Sequence, residues 1–269
     1  MCGGKISVLI DPGLEKHFPV FEALHKSAAS RIPGVLISHV TGTDGEKAFV
    51  NRYWSTGSTE SLIPPEFRSR IEPEINEMIS RSDHGDFREI DLSSPGEKSF
   101  SILFLESVIP PARLIIAGAG HIGKALAQIA TMLDFEITVI DDRPEFANSE
   151  NIPFADHVIA GDIGNTIAGI EKGPDNYIVI VTRGHKDDAN ALRACIGSEA
   201  AYVGMIGSRN KVALMEKEFL QNKWATKEQW DRIYSPVGLE INSGTVGEIA
   251  VSIAAQLVKV KNAKVRIKK

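Results

Sequence analysis

Leu114-Ile115-Ile116-Ala117-Gly118-Ala119-Gly120-His121-Ile122-Gly123 is the stretch that decides the fold: an apolar run breaks into G-x-G-x-x-G and then into an amphipathic segment. An uninterrupted apolar run bounded by glycine reads as a strand buried on both faces, the mark of a parallel sheet. The next apolar positions, Ile122, Ala125, Leu126, Ile129 and Leu133, are spaced three and four apart, so residues 121–133 form a helix with one stripe facing that sheet. Each glycine has its own task. Gly118 permits the tight turn, Gly120 lets a pyrophosphate approach the backbone, and Gly123 lets helix and strand pack closely. The N–H groups of the first helical turn, where His121 and Ile122 stand, would face the phosphates. The plainer alternative is that the glycines serve packing alone.

Outward from this motif, strand-like runs at 137–141, 157–160, 177–182 and 201–206 alternate with helical stretches. That rhythm predicts an α/β fold, a Rossmann-like doubly wound parallel sheet over residues 111–260. Thr245-Val246-Gly247-Glu248 reads as a capping box opening the last helix, whose apolar face runs to Val258. Residues 259–269 carry six Lys/Arg and no acid, so 261–269 are expected to be a frayed, solvated basic tail. Before Pro110-Pro111 the pattern differs. A strand at 5–12, a helix at 14–30, a hairpin from 35–40 and 47–54 around 41–45, a helix from Pro65 to about Arg81, and strands at 88–92 and 100–105 predict a smaller mixed α+β domain over 1–110. Consecutive prolines cannot continue a ladder, which sets the boundary.

Three groups of residues fall where an open parallel sheet places its ligand crevice, at the C-terminal ends of its strands. Asp141 lies 23 residues after Gly118, close to the roughly 20 expected for a carboxylate on a ribose 2′-hydroxyl. Asp141 favours NAD, whereas Arg143 could accept the 2′-phosphate of NADP. Next come Arg183, His185 and Asp188: His185 could transfer protons with Asp188 three residues on as a helical-face partner, or Asp187 or Asp188 could simply cap a helix. Ser208, Arg209 and Lys211 then place a hydroxyl and two cations at a helix start, either clamping an anion or standing solvated beside a glycine turn.

At 269 residues, 43% hydrophobic and 24% charged, the chain has the balance of an ordinary globular protein. Its net charge of −5 argues against nucleic-acid binding. The apolar run 249–258 is about half the roughly 20 residues that span a bilayer, so no membrane segment is expected and a cytoplasmic protein is. Cys2 and Cys195 cannot build a disulfide framework or a Cys-rich metal site. Cys195 is expected in the core, and Cys2 reads as a small inert thiol or a sulfur relay. None of the four tyrosines has a lysine four residues later, and G-x-x-x-x-G-K-[ST], H-E-x-x-H and C-x-x-C are all missing, so no metal site is expected.

Taken together, Gly118 to Gly123, Val139-Ile140-Asp141-Asp142-Arg143-Pro144-Glu145-Phe146-Ala147-Asn148, Val181-Thr182-Arg183-Gly184-His185, Gly204-Met205-Ile206-Gly207-Ser208-Arg209 and Ser235-Pro236-Val237-Gly238-Leu239 resemble the XdhC/CoxI family, accessory factors of xanthine dehydrogenase and related molybdenum hydroxylases. The resemblance implies binding of the molybdenum cofactor, a pterin with a phosphate and dithiolene-held molybdenum, and its delivery in sulfurated form into an apo molybdenum hydroxylase of the xanthine dehydrogenase type. It also implies a cysteine desulfurase as a further partner and a homo-oligomer. An NAD(P)-dependent oxidoreductase with His185 as acid/base is the alternative reading of the same crevice. The sequence departs from the family in two places. Val246-Gly247 stands where Pro-Glu is usual, and the segments that normally precede a Cys-Gly-Gly strand such as Cys2-Gly3-Gly4 are missing, as in a split or shortened member.

Overall fold

The computed structural model describes residues 8, 10–43, 47–57, 63–81, 86–94, 96 and 98–266. The chain divides into two compact units, Met1–Pro110 and Pro111–Lys269. The first contains α1 (Phe18–Ala29), β1 (Gly34–Thr43), β2 (Phe49–Ser55), α2 (Pro65–Arg81), β3 (Phe87–Asp91) and β4 (Ser99–Val108). Its four strands form an antiparallel sheet in the order β2-β1-β4-β3. Period-two alternation puts Val35, Ile37, Leu103 and Leu105 on one face, where they bury Ile71, Ile75 and Met78 of α2. Trp54 donates its indole N–H to Ser27 Oγ at 3.0 Å and so ties α1 to β2.

Two details of this unit differ from the sequence reading. Half of the expected strand at 5–12 falls outside the described residues, and Val8, Ile10, Asp11 and Pro12 are not in a strand. Asp11 instead accepts hydrogen bonds from Arg52 and from the Gly13 N–H. Residues 41–43 of the expected turn at 41–45 are strand, because β1 continues through Thr43 paired with Ser99, and residues 44–45 lie outside the described residues.

The second unit runs β5 (Ala112–Ala117), α3 (His121–Ala130), β6 (Phe135–Asp141), β7 (His157–Ala160), α4 (Ile163–Gly169), β8 (Asn176–Ile180), α5 (His185–Cys195), β9 (Tyr202–Met205), α6 (Arg209–Gln221), α7 (Lys227–Asp231) and α8 (Val246–Arg266). The five strands are parallel in the order β7-β6-β5-β8-β9, with the order reversing beside β5. Leu114, Ile116, Val139 and Val179 point to a core shared with α3 and α8. Ile115, Ala117, Ile140, Ile178 and Ile180 point to the opposite core, under α4, α5 and α6. Helices on both faces explain why the strands read as continuous apolar runs. No described helix is long and apolar enough to cross a membrane.

The outer edge of β9 is covered by residues 233–237, whose backbone bonds Val203 and Met205 on the strand. Ser252 and Gln256 of α8 hold this segment: Ser252 Oγ donates to the Leu239 carbonyl at 2.6 Å, and Gln256 Oε1 accepts the Gly238 N–H at 2.9 Å. Gly238 has φ +99°, and a Cβ there would lie 2.3 Å from Ser252 Oγ. The Ser-Pro-Val-Gly-Leu motif thus seals a sheet edge that would otherwise expose unpaired donors.

The last helix corrects one expectation. It runs to Arg266, so the basic stretch is not a separate frayed tail over its described part. Lys261 Nζ donates to the Leu133 carbonyl at 3.0 Å and lies 4.9 Å from the centre of the Phe135 ring. The capping box forms despite the unusual Val246-Gly247: Glu248 Oε2 accepts the Thr245 N–H at 2.8 Å, and the Glu248 N–H donates to Thr245 Oγ1 at 3.3 Å.

Candidate functional site

The glycine motif folds as its spacing demands. Gly118 has φ +117°, a conformation L side chains rarely adopt, and a Cβ on it would meet the Val181 carbonyl oxygen at 2.5 Å. A Cβ on Gly123 would come within 1.9 Å of the Gly118 carbonyl oxygen, so α3 packs against its own turn only through glycine. Gly120 is different: a Cβ there would meet nothing within 4 Å, and its φ of −71° is open to any residue. It is the N-cap of α3 and, being glycine, gives the first-turn N–H groups no side-chain cap at the positive end of the helix dipole. His121 starts the helix and is exposed, whereas Ile122 packs against the core.

Asp141 ends β6 directly beside this turn and is only 2% exposed. Its Oδ2 accepts the Ala119 N–H at 2.8 Å and Arg143 Nη2 at 2.9 Å. Its Oδ1 accepts Arg143 Nε at 2.8 Å and the Arg143 backbone N–H at 3.1 Å. Burial works against ionisation, but the Arg143 guanidinium and the two backbone N–H groups outweigh it and hold the carboxyl below its ordinary range. The Arg143 guanidinium also stacks on the Phe146 ring at 3.7 Å. Two residues read from sequence as separate ligand contacts are therefore partners of each other.

The loops after β8 and β9 are joined by a second buried carboxylate. Asp188 in the first turn of α5 is 0% exposed, and it accepts hydrogen bonds from Thr182 Oγ1 and from Lys211 Nζ of α6. Burial is the largest influence and pushes its carboxyl above the ordinary value, against the pull of Lys211 and Thr182. The helix-cap reading of this turn is corrected: the N-cap is Gly184, which makes no side-chain cap bond, and neither Asp187 nor Asp188 caps it. The acid/base pairing of His185 with Asp188 is also not formed. His185 Nε2 lies 2.9 Å from Glu218 Oε2 of α6, while Asp188 turns to Lys211.

Ser208 caps α6 by accepting the Lys211 N–H at 3.3 Å. Arg183 is 60% exposed and sits 3.5 Å from Asp142. Arg209 is 85% exposed and pairs with Glu240 at 3.3 Å. The rim of the crevice therefore presents the uncapped start of α3 with Arg183 and Arg209 in solvent, an arrangement that can receive an anion. Cys195 lies in the core as expected, 1% exposed, and burial pushes its thiol up to about 12. Cys2 lies outside the described residues.

Replacing Lys211 by Met should cost about 3 kcal/mol, because it strands a buried carboxylate. Adding Asp188→Asn should recover part of that loss in a double-mutant cycle measured by urea unfolding. Since the folded state raises the Asp188 pKa, the single-variant deficit should shrink as pH falls and the carboxyl is protonated. A deficit independent of both pH and the Asp188 substitution would show that the pair carries no stability.

Residues 114–257, just over half of the chain, match the family model described as the XdhC Rossmann domain. The chain is 36% identical over 151 residues to the uncharacterised protein YqeB of Escherichia coli (strain K12), covering 56% of this chain and 27% of that protein. It is 29% identical over 159 residues to a probable xanthine dehydrogenase subunit of Bacillus subtilis (strain 168), covering 59% of this chain and 46% of that one. The chain thus spans less than half the length of either curated relative. A solved structure described as a xanthine dehydrogenase from Bacillus halodurans shares the fold, with a TM-score of 0.65 at 22% identity over 96% of this chain and 68% of that one. With its fingerprint turn, its five-stranded parallel sheet and the matching family model, the chain belongs to the XdhC family through its Rossmann domain.

Proposed function

We propose that this protein is an accessory factor that binds the molybdenum cofactor in the crevice beside Gly120 and supports its sulfuration and insertion into a xanthine dehydrogenase-type molybdenum hydroxylase. The observation that carries the reading is the open, uncapped N-terminus of α3 at Gly120, with exposed cations at the neighbouring strand ends. The residues fit the group: the first-turn N–H groups would hold the pterin phosphate, and Arg183 and Arg209 would balance the remaining negative charge. When bound, the cofactor itself supplies the oxo and sulfur-transfer chemistry of molybdenum. The chain's own part is to bind, neutralise and shelter.

Two further observations support binding over turnover. His185 is paired with Glu218, and Asp188 with Lys211, so the groups that an acid/base mechanism would use are engaged in holding α5 to α6. The link to a hydroxylase client is supported by the Bacillus subtilis relative, which is named as a probable component of xanthine dehydrogenase. The same reading calls for a cysteine desulfurase as sulfur source and for a homo-oligomer.

Loss of this protein should leave the client hydroxylase synthesised and folded but short of active cofactor. Arg209→Glu should reproduce that loss, since a carboxylate at the rim repels an anionic ligand. Molybdenum content and activity of the client purified from deletion and Arg209→Glu strains provide the check. Full loading in both strains, with NAD-dependent turnover by the isolated protein, would overturn the reading in favour of an NAD(P)-dependent oxidoreductase.

A further inference from the structure

We infer that the Asp141–Arg143 clamp is a selectivity device: it closes the end of β6 to a ribose diol and leaves a guanidinium edge there for an anionic group. This deepens the proposed cofactor-binding reading and concerns the same crevice. A carboxylate grips the two hydroxyls of an adenosine ribose by accepting from both, which requires a free lone-pair site on each oxygen. Asp141 has four such sites, and four donors fill them: the Ala119 N–H and Arg143 Nη2 on Oδ2, and the Arg143 N–H and Nε on Oδ1. A hydroxyl arriving at this 2% exposed side chain finds no acceptor.

What the position offers is the outer edge of Arg143. Its Nε and one N–H of Nη2 are spent on Asp141, and the Phe146 ring at 3.7 Å supports one face, so the guanidinium is held in place. Among the described residues, Nη1 and the second N–H of Nη2 are left as donors. Asp142 lies 3.9 Å from Arg143 Nε and 3.5 Å from Arg183 Nη2, so it is itself taken up between two cations. An acceptor-rich anion matches this surface, and a neutral diol does not. Asp141 is thus a positioning residue for the glycine turn, through the Ala119 N–H, and Arg143 is the group that discriminates.

Removing Arg143 frees one lone-pair site on each Asp141 oxygen while the two backbone bonds remain, the pattern that a bidentate diol contact needs. Arg143→Met in the full chain should therefore gain affinity for NAD by about tenfold or more over wild type, the scale of a charged hydrogen bond. NADP, whose 2′-phosphate takes the place of one hydroxyl, should not share the gain. Arg143→Lys, which keeps the charge but reaches one oxygen, gives an intermediate gain and guards against a Met variant that fails to fold. Calorimetric titration of each protein with NAD and with NADP, beside its thermal midpoint, reads the result. No gain for NAD in either variant, or an equal gain for NADP, overturns the inference. Absence of pterin from the purified wild type would overturn the cofactor reading instead, without altering the sign expected for NAD.

Discussion

Gly123→Val should abolish cooperative unfolding of the second unit. A Cβ at this position would stand 1.9 Å from the Gly118 carbonyl oxygen and 3.0 Å from its carbonyl carbon, so the contact is with backbone that no rotamer change can move. Relief would require α3 to lift away from β5, exposing Leu126, Ala127 and Ala130, which are now fully buried against the sheet. We expect a loss of more than about 4 kcal/mol, the range reserved for severe backbone or core disruption. That is a large fraction of the roughly 5–15 kcal/mol that stabilises a typical domain. Near-UV circular dichroism and urea unfolding would show it, and a sharp transition within about 1 kcal/mol of wild type would mean that the turn can relax at little cost.

What could be read in advance is what local chemistry dictates. The strand, the three glycines and the amphipathic helix carry their own periodicity and backbone requirements, so residues 114–133 announce a strand, a glycine turn and a helix without tertiary information. The capping box at Thr245 is equally local, and it survives Val246-Gly247 because it uses only the Thr245 hydroxyl, two backbone N–H groups and the Glu248 carboxylate.

Partnerships across the fold were not legible. Asp188 meets Lys211 and His185 meets Glu218 only because α5 and α6 lie side by side on one face of the sheet, a proximity no spacing encodes. The Asp141–Arg143 pair is close in sequence, yet either charge could have turned to solvent; the deciding partner is the Ala119 N–H on a separate loop. Residues 233–237 lack strand periodicity because they bond β9 through only a few backbone groups. Lys261 belongs to the packed helix because its ammonium lies over the Phe135 ring and reaches the Leu133 carbonyl, whereas composition alone registers a basic tail.

Gly120→Val should leave the protein folded and empty its crevice. The substituted side chain enters open space, φ is already in a region valine adopts, and the only folded-state cost is that of a poorer N-cap, under about 1 kcal/mol. The same side chain, however, occupies the approach to the first-turn N–H groups of α3, so a phosphate can no longer reach them. The expected loss is at least about a hundredfold in affinity, equivalent to about 2.7 kcal/mol, for any ligand anchored there through a phosphate. The separation of effects is the point, because Gly123→Val damages the fold and Gly120→Val damages binding alone.

The most direct test applies mass spectrometry and absorbance to wild type and Gly120→Val, each purified without oxygen from cells that make the molybdenum cofactor. Our account predicts a pterin with molybdenum in the wild type and none in the equally folded variant. NAD or NADP in its place, or pterin bound equally by both proteins, would contradict it.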